Sequence, residues 1–217
     1  MNETAPRRVA ILHPIRVTVT NYPEDKTEYF ELPNHPQHPE RGTRKMPFSR
    51  HLLIDSDDFA LDPPPKFFRL KPGGEVRLMG GYLLKYEDVK LSPDGSVEEI
   101  FCTVDLETGN GNPADGRKVK GTIHWLSENE SVPVDVKLFD ELFTIENVAE
   151  IPEGKGYGDY LNVASVADLP SARVEASLSD AKPGERFQFV RVGYFVKDTK
   201  YENTFNRIVG LKDSYKV

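Results

Sequence analysis

Apolar and polar residues alternate with a period of two in short runs along this chain, and no long stretch repeats at helical spacing. Ile15, Val17 and Val19 alternate with Arg16, Thr18 and Thr20, which predicts a strand that stops at Asn21-Tyr22-Pro23. Tyr29, Phe30 and Leu32 mark a second strand. Pro47-Phe48 opens another, running through Leu52-Leu53-Ile54. The segments 67–70 and 75–79 flank a tight reversal at Lys71-Pro72-Gly73-Gly74. Residues 82–91 and 97–104 flank Ser92-Pro93-Asp94-Gly95-Ser96, the strongest hairpin signal present. After the turn residues Asn112-Pro113 and Asp115-Gly116, Val119, Gly121, Ile123 and Trp125 point one way. Lys118, Lys120, Thr122 and His124 point the other, as a solvated basic face. Val132, Val134, Val136 and Leu138 alternate next, and residues 187–195 and 205–211 close the chain as strands.

Between these runs lie breaks. Pro33 to Arg44 holds Pro, Asn, His and Gly densely enough to predict an ordered loop, and 151–158 is another. Asp55, Asp57 and Asp58 are placed to cap a single helical turn over Phe59 and Leu61. Pro63-Pro64-Pro65 can neither continue a helix nor join a central strand, and reads as a stiff connector. Short strands between turns, with a few short helices, predict an all-β protein built of barrels or sandwiches.

Composition narrows the function. With 217 residues, 38% apolar, 12 Phe and 9 Tyr, the chain can fill one large or two small cores. Lys plus Arg number 28 against 35 for Asp plus Glu, a net charge of −7. That balance disfavours unspecific nucleic-acid binding, which draws its affinity from phosphate neutralisation, and leaves room only for a local basic face. Cys102 is the only cysteine, so no intrachain disulfide forms, and a reducing cytoplasmic setting is expected. No apolar run approaches the ~20 residues of a membrane span, and no signal peptide opens the sequence. Motifs for common chemistries are missing: no Gly-rich phosphate loop, no Cys/His set at zinc spacing, no G-x-S-x-G elbow. His35 and His38 are spaced for a metal but have no further ligands nearby in sequence, so no metal is expected.

One stretch carries a family resemblance. Asp115-Gly116-Arg117-Lys118-Val119-Lys120-Gly121-Thr122-Ile123-His124-Trp125 resembles the C-terminal anticodon-binding region of glutaminyl-tRNA synthetases. Further segments resemble it in the same order: Asn2 to Arg7, Asn34-His35-Pro36 with Pro39-Glu40, Gly42-Thr43-Arg44, Pro47-Phe48-Ser49, Glu75-Val76-Arg77-Leu78, Phe187-Gln188-Phe189, Gly193-Tyr194-Phe195 and Phe205-Asn206-Arg207. The resemblance implies two six-stranded β-barrels, the second inserted into the first. Residues 1–8 would be a linker toward a catalytic body, 9–62 and 146–217 the first barrel, and 63–145 the second. It also implies a monomer that binds the anticodon loop of tRNA-Gln and a catalytic domain of the same synthetase, with no membrane partner. The H-I-G-H and K-M-S-K-S signatures that hold ATP are absent, so the chain alone is expected to take no cofactor and to be inactive. The full-length enzyme would use ATP and Mg.

The site residues follow by motif. Arg7, Gln188 and Arg191 match the partners of the middle anticodon base, uridine. Arg69 matches the reader of the third base and Arg77 that of the first. Asn2 and Gln37 match positions touching nucleotides just 3′ of the anticodon. These residue types suit the task, because a guanidinium stacks on a base and bonds its edge while an amide pairs with a Watson–Crick edge. Strict alternation puts Gln188 and Arg191 on opposite strand faces, so a strand end or bulge must intervene if both meet one base. Two positions depart from the family pattern: Phe68 stands where many relatives carry Lys, and Met79 where many carry Arg. Other readings are a eukaryotic-type glutamyl-tRNA synthetase and a free-standing barrel like the ribosomal proteins that bind 5S rRNA. Lys197, outside every matched motif, is expected to be neutral to substitution.

Overall fold

The computed structural model describes residues 1–113 and 115–211. Ala114 of the expected 112–116 turn and residues 212–217 of the expected first barrel lie outside the described residues. The chain is mainly β, as its alternation predicts, and among the described residues its helical turns are all short 3₁₀ segments. The strands in order are β1 (Arg7–Arg8), β2 (Ala10–Ile11), β3 (Pro14–Val19), β4 (Glu28–Pro33), β5 (Thr43–Phe48) and β6 (His51–Asp55). Then come β7 (Glu75–Leu78), β8 (Leu83–Leu91), β9 (Val97–Val104), β10 (Thr122–Ile123) and β11 (Leu126–Ser127). The last five are β12 (Val132–Phe139), β13 (Val166–Val174), β14 (Arg186–Phe189), β15 (Gly193–Lys197) and β16 (Thr204–Gly210).

These strands form two seven-stranded sheets and one two-stranded ribbon. One sheet runs β1-β14-β15-β16-β12-β13-β2, the other β10-β7-β8-β9-β3-β6-β11, and β4 pairs with β5. One sheet nearly closes into a barrel and the other makes half of one. The grouping differs from the expected boundaries. β3 and β6 were expected to join residues 146–217, yet β3 pairs with β9 and β6. The inserted unit therefore runs from β3 to β11, and the chain crosses between sheets near residues 12–13 and 128–131. The prolines at 63–65 interrupt the chain inside that unit. Hydrogen-bonding partners decide which sheet a strand joins, and a proline run marks only a stiff place in the chain.

Residues 9–12 show how the sheets are joined. Val9 and Ile11 are buried in one core with Val17, Leu52, Ile100 and Trp125. Ala10 and Leu12 are buried in the other with Phe189, Phe195 and Phe205. Period-two alternation thus gives one short segment a face in each core. In the first core Phe48 meets Tyr22, Tyr82 and Trp125 edge-on at 4.9, 5.1 and 5.4 Å. The polar tips of these rings are also met: Tyr22 and Tyr82 hydroxyls both donate to Glu28, and the Trp125 indole donates to the Met79 carbonyl. Cys102 is fully buried, which pushes its thiol pKa up and makes it a packing residue.

Several expected elements change in detail. The strand expected from Pro47 to Ile54 is two strands that bend at Ser49-Arg50, one pairing with β4 and the other with β3. The strand expected from Lys118 to Trp125 shrinks to β10, and its predicted polar face holds for Lys118, Lys120 and Thr122 only. His124 is buried between β10 and β11. Residues 67–70 form no strand. The acid-capped helical turn falls at Ser56–Asp58, where an Asp55 carboxylate oxygen accepts from the Asp57 amide. β13 was not foreseen because Pro170 interrupts its pattern; the register with β12 shifts at that place, where a strand tolerates a proline. Residues 1–8, expected as a linker, are folded: β1 pairs with β14, and Glu175 accepts the Val9 amide and pairs with Arg8 and Arg44.

Candidate nucleic-acid interface

β1 and β14 run parallel with Arg7 opposite Gln188, and β14 pairs antiparallel with β15 so that Gln188 faces Tyr194. Residues in register share a sheet face, so three residues far apart in sequence stand side by side. Arg7 is buried to 9% exposure, yet its guanidinium meets no carboxylate among the described hydrogen-bond partners. One Nη1 donates to the carbonyls of Asn2 and Ala5, both at 2.8 Å, and Nη2 donates to Asn2 Oδ1 at 2.8 Å. The Tyr194 hydroxyl donates to the same Oδ1 at 3.1 Å. Asn2 is held in turn by His35, whose Nε2–H donates to the Asn2 carbonyl at 2.8 Å while its Nδ1 accepts the Gln37 amide. The turn Met1–Ala5, closed by amides of Thr4 and Ala5 on the Met1 carbonyl, sets Asn2 in place. Gln188 Oε1 is buried with no hydrogen-bond partner. An unpaired buried acceptor costs about 1–3 kcal/mol, so this oxygen gains by accepting a hydrogen bond.

Arg191 lies elsewhere. β14 ends at Phe189, and Arg191 takes a positive φ of 66° in the turn to β15, so the strand end does intervene between it and Gln188. Its guanidinium grips Asp58 with two bonds of 2.8 Å and donates to His124 Nδ1 at 3.1 Å. Arg69 approaches the same carboxylate at 3.4 Å and donates to the Asp57 carbonyl at 2.7 Å. Asp58 is 1% exposed. His124 accepts from an arginine, so it is neutral with its proton on Nε2. Burial, aided by the positive charge of Arg191, lowers its pKa to about 4. Above this hub opens a cleft of about 670 Å³ whose lining includes Phe68, Arg69, Lys120, Arg191 and Arg207 as well as Asp55, Asp57 and Asp58. It is walled by both sheets.

The remaining candidates stand apart from these two groups. Arg77 extends from β7 to the carbonyls of Gly81 at 3.4 Å and Gly111 at 2.7 Å. Gln37 is exposed beside His35 and reaches the first group only through it. Both His35 nitrogens are taken, and His38 lies between Glu3 and Glu40. Among the described residues no group of three or more metal-ligating side chains exists. Arg117 is spent on structure, bonding Glu75, Asp105 and Asp115. Sequence reasoning missed Tyr194, His35, Asp58 and His124. Tyr194, His35 and His124 did lie in matched segments, whereas nothing in sequence brings Asp58 to a partner 133 residues away.

Two family models, both described as tRNA synthetases class I (E and Q), anti-codon binding domain, match residues 5–105 and 122–198. The chain belongs to the class I (E and Q) anticodon-binding domains. Among similar curated proteins, the glutamine–tRNA ligase of Rhodopirellula baltica is 45% identical over 99% of this chain and 36% of its own length. Those of Bradyrhizobium diazoefficiens and Pseudomonas putida are each 44% identical over 99% of this chain and 38% of their own. The chain thus spans a little over a third of the curated relatives it matches. The boundary between the two family matches falls in the 106–121 loop, while the chain crosses between sheets near 12–13 and 128–131; the sequence units and the structural units of this anticodon-binding region do not coincide. No helix among the described residues is long and apolar enough to cross a membrane.

Proposed function

We propose that this chain is the recognition part of a glutamine–tRNA ligase and reads the anticodon loop of tRNA-Gln, with Arg7 and Gln188 meeting the middle uridine. The observation that carries the reading is the buried Oε1 of Gln188, unpartnered among the described residues, in register with an arginine that pairs with no carboxylate among them. Uridine offers an N3–H donor flanked by two carbonyl acceptors. Gln188 Oε1 accepts from N3–H, and the Arg7 donors not spent on Asn2 and Ala5 answer a carbonyl. Cytosine carries an acceptor at N3 and an amino donor at C4, so two polar groups would face like partners. Arg69 and Arg191 serve the neighbouring bases from the cleft, and Arg77 the first. The relatives named above support glutamine over glutamate, and matches across both sheets support a two-barrel synthetase region over a single ribosomal barrel. In the whole cytoplasmic enzyme, a catalytic domain would use ATP and Mg to charge the tRNA.

The test is anisotropy binding of anticodon stem-loops carrying U or C at the middle position. The Gln188→Ala variant is expected to bind the U stem-loop about tenfold more weakly and to lose most of its U-over-C preference, following the ~1–3 kcal/mol cost of an unpaired polar group. Retained discrimination would overturn the assignment. Lys197 makes a poor control after all, being 8% exposed with its ammonium 4.8 Å from the Phe205 ring centroid and its pKa lowered by burial. Lys90, exposed and paired with exposed Glu98, replaces it: Lys90→Ala is expected to change neither affinity nor preference.

A further inference from the structure

Phe68 is placed unlike its apolar neighbours. Phe67 and Leu70 are buried at 8% and 0%, while Phe68 keeps 44% exposure at the edge of a cleft that carries four cationic side chains together with Asp55, Asp57 and Asp58. The backbone presenting it is firmly held. Phe67 donates to the Pro64 carbonyl at 3.2 Å, Leu70 donates to Asp58 at 3.0 Å, and Ala60 donates to Leu70 at 3.2 Å. Gly121 packs against it so closely that an added Cβ would sit 1.9 Å from the Phe68 carbonyl oxygen. The ring is therefore displayed from a fixed loop. Lys120 holds its ammonium 5.6 Å from the ring centroid, and Arg69, Arg191 and Arg207 line the same cleft.

An exposed aromatic ring among cations is the combination that binds unpaired nucleotides: the ring takes a base face, the cations take phosphates. We infer that Phe68 is a stacking platform for one unpaired base of the bound RNA, beside Arg69; this rests on the anticodon reading above. Stacking accepts any base, so Phe68 adds affinity without choosing between U and C. It also adds no charge, so its contribution does not depend on salt.

The test uses the whole chain and an anticodon stem-loop. Phe68→Trp places an indole at the platform, and the one native indole, Trp125, is 1% exposed and gives a constant background. Quenching of the new indole that saturates at the same RNA concentration as anisotropy is expected. Phe68→Ala and Phe68→Leu should each weaken binding about tenfold with an unchanged salt slope, because neither side chain has a π face. Phe68→Lys should recover affinity only with a steeper salt slope. Wild-type affinity in the Ala or Leu variant, or an unquenched indole in the Trp variant, would overturn the inference. If those results came while Gln188→Ala still lost its preference, only the platform would fall. A native chain that binds no stem-loop would overturn both readings.

Discussion

The two arginine groups differ in what holds them. Arg7 is fixed by carbonyls, an amide oxygen and, through Asn2, a tyrosine hydroxyl. Arg69 and Arg191 are fixed by one buried carboxylate, Asp58. Neutral partners orient a guanidinium and leave its charge available; a carboxylate orients it and cancels much of the charge. The first arrangement suits reading a base edge at a fixed place, with little reorganisation on binding. The second suits holding two sheets together, because Asp58 sits in the unit from β3 to β11 and Arg191 in the turn between β14 and β15. Two of the basic side chains in the cleft are thus compensated internally by Asp58.

The largest expected effect breaks the second group. Asp58→Ala should lower stability by about 3–5 kcal/mol in urea unfolding, the usual cost of removing one partner of a buried ion pair. The milder Asp58→Asn, if it folds, should steepen the salt slope of stem-loop binding by about one, because an arginine charge is released. An unchanged slope would show that the charge was never cancelled.

Next in size is Gly121→Ala, whose Cβ must push against the Phe68 backbone. It should cost about 1–3 kcal/mol, as overpacking does, and weaken binding through the cleft while leaving the U-over-C preference of the Gln188 group intact. Asn2→Ala tests the other side. It removes the shared Oδ1 acceptor of Arg7 and Tyr194, with an expected loss of about 1 kcal/mol in stability and a reduced U-over-C preference.

A pH dependence separates the groups further. The folded pKa of His124 lies near 4, below its ordinary 6.5, so the unfolded chain binds more protons between these values. This residue therefore contributes a loss of stability as pH falls from about 6.5 to about 4, and none below. His124→Asn should flatten the stability profile in that window alone. The smallest effect expected is a salt slope for the native chain shallower than that of a protein making six or more phosphate contacts. A steep slope would show that the cleft cations act uncompensated.

How much of this was legible beforehand depends on range. β3, β8, β9 and β12 could be read because alternating side chains and a Pro-Asp-Gly turn are local features. β13 and the paired strands β5 and β6 were obscured, one by Pro170 and the others by a bend within a continuous apolar run. Motif matching set Arg7, Gln188 and Arg191 on one base; in the structure Arg7 and Gln188 stand in register, whereas Arg191 lies against Asp58.

By itself the sequence determined the all-β character, the lone buried thiol, the absence of catalytic signatures and the family. Each of these rests on residue identity or on period-two alternation, which act over a few neighbouring positions. Only the tertiary structure decided which strands share a sheet, that residues 9–12 feed two cores, that Gln188 stands in register with Arg7 on a parallel pair, and that Asp58 gathers Arg69, Arg191 and His124. Those outcomes depend on register and on the pairing of groups from about ten to more than a hundred residues apart. A carboxylate reads the same in sequence whether it faces water or two arginines; burial and partners set what it does.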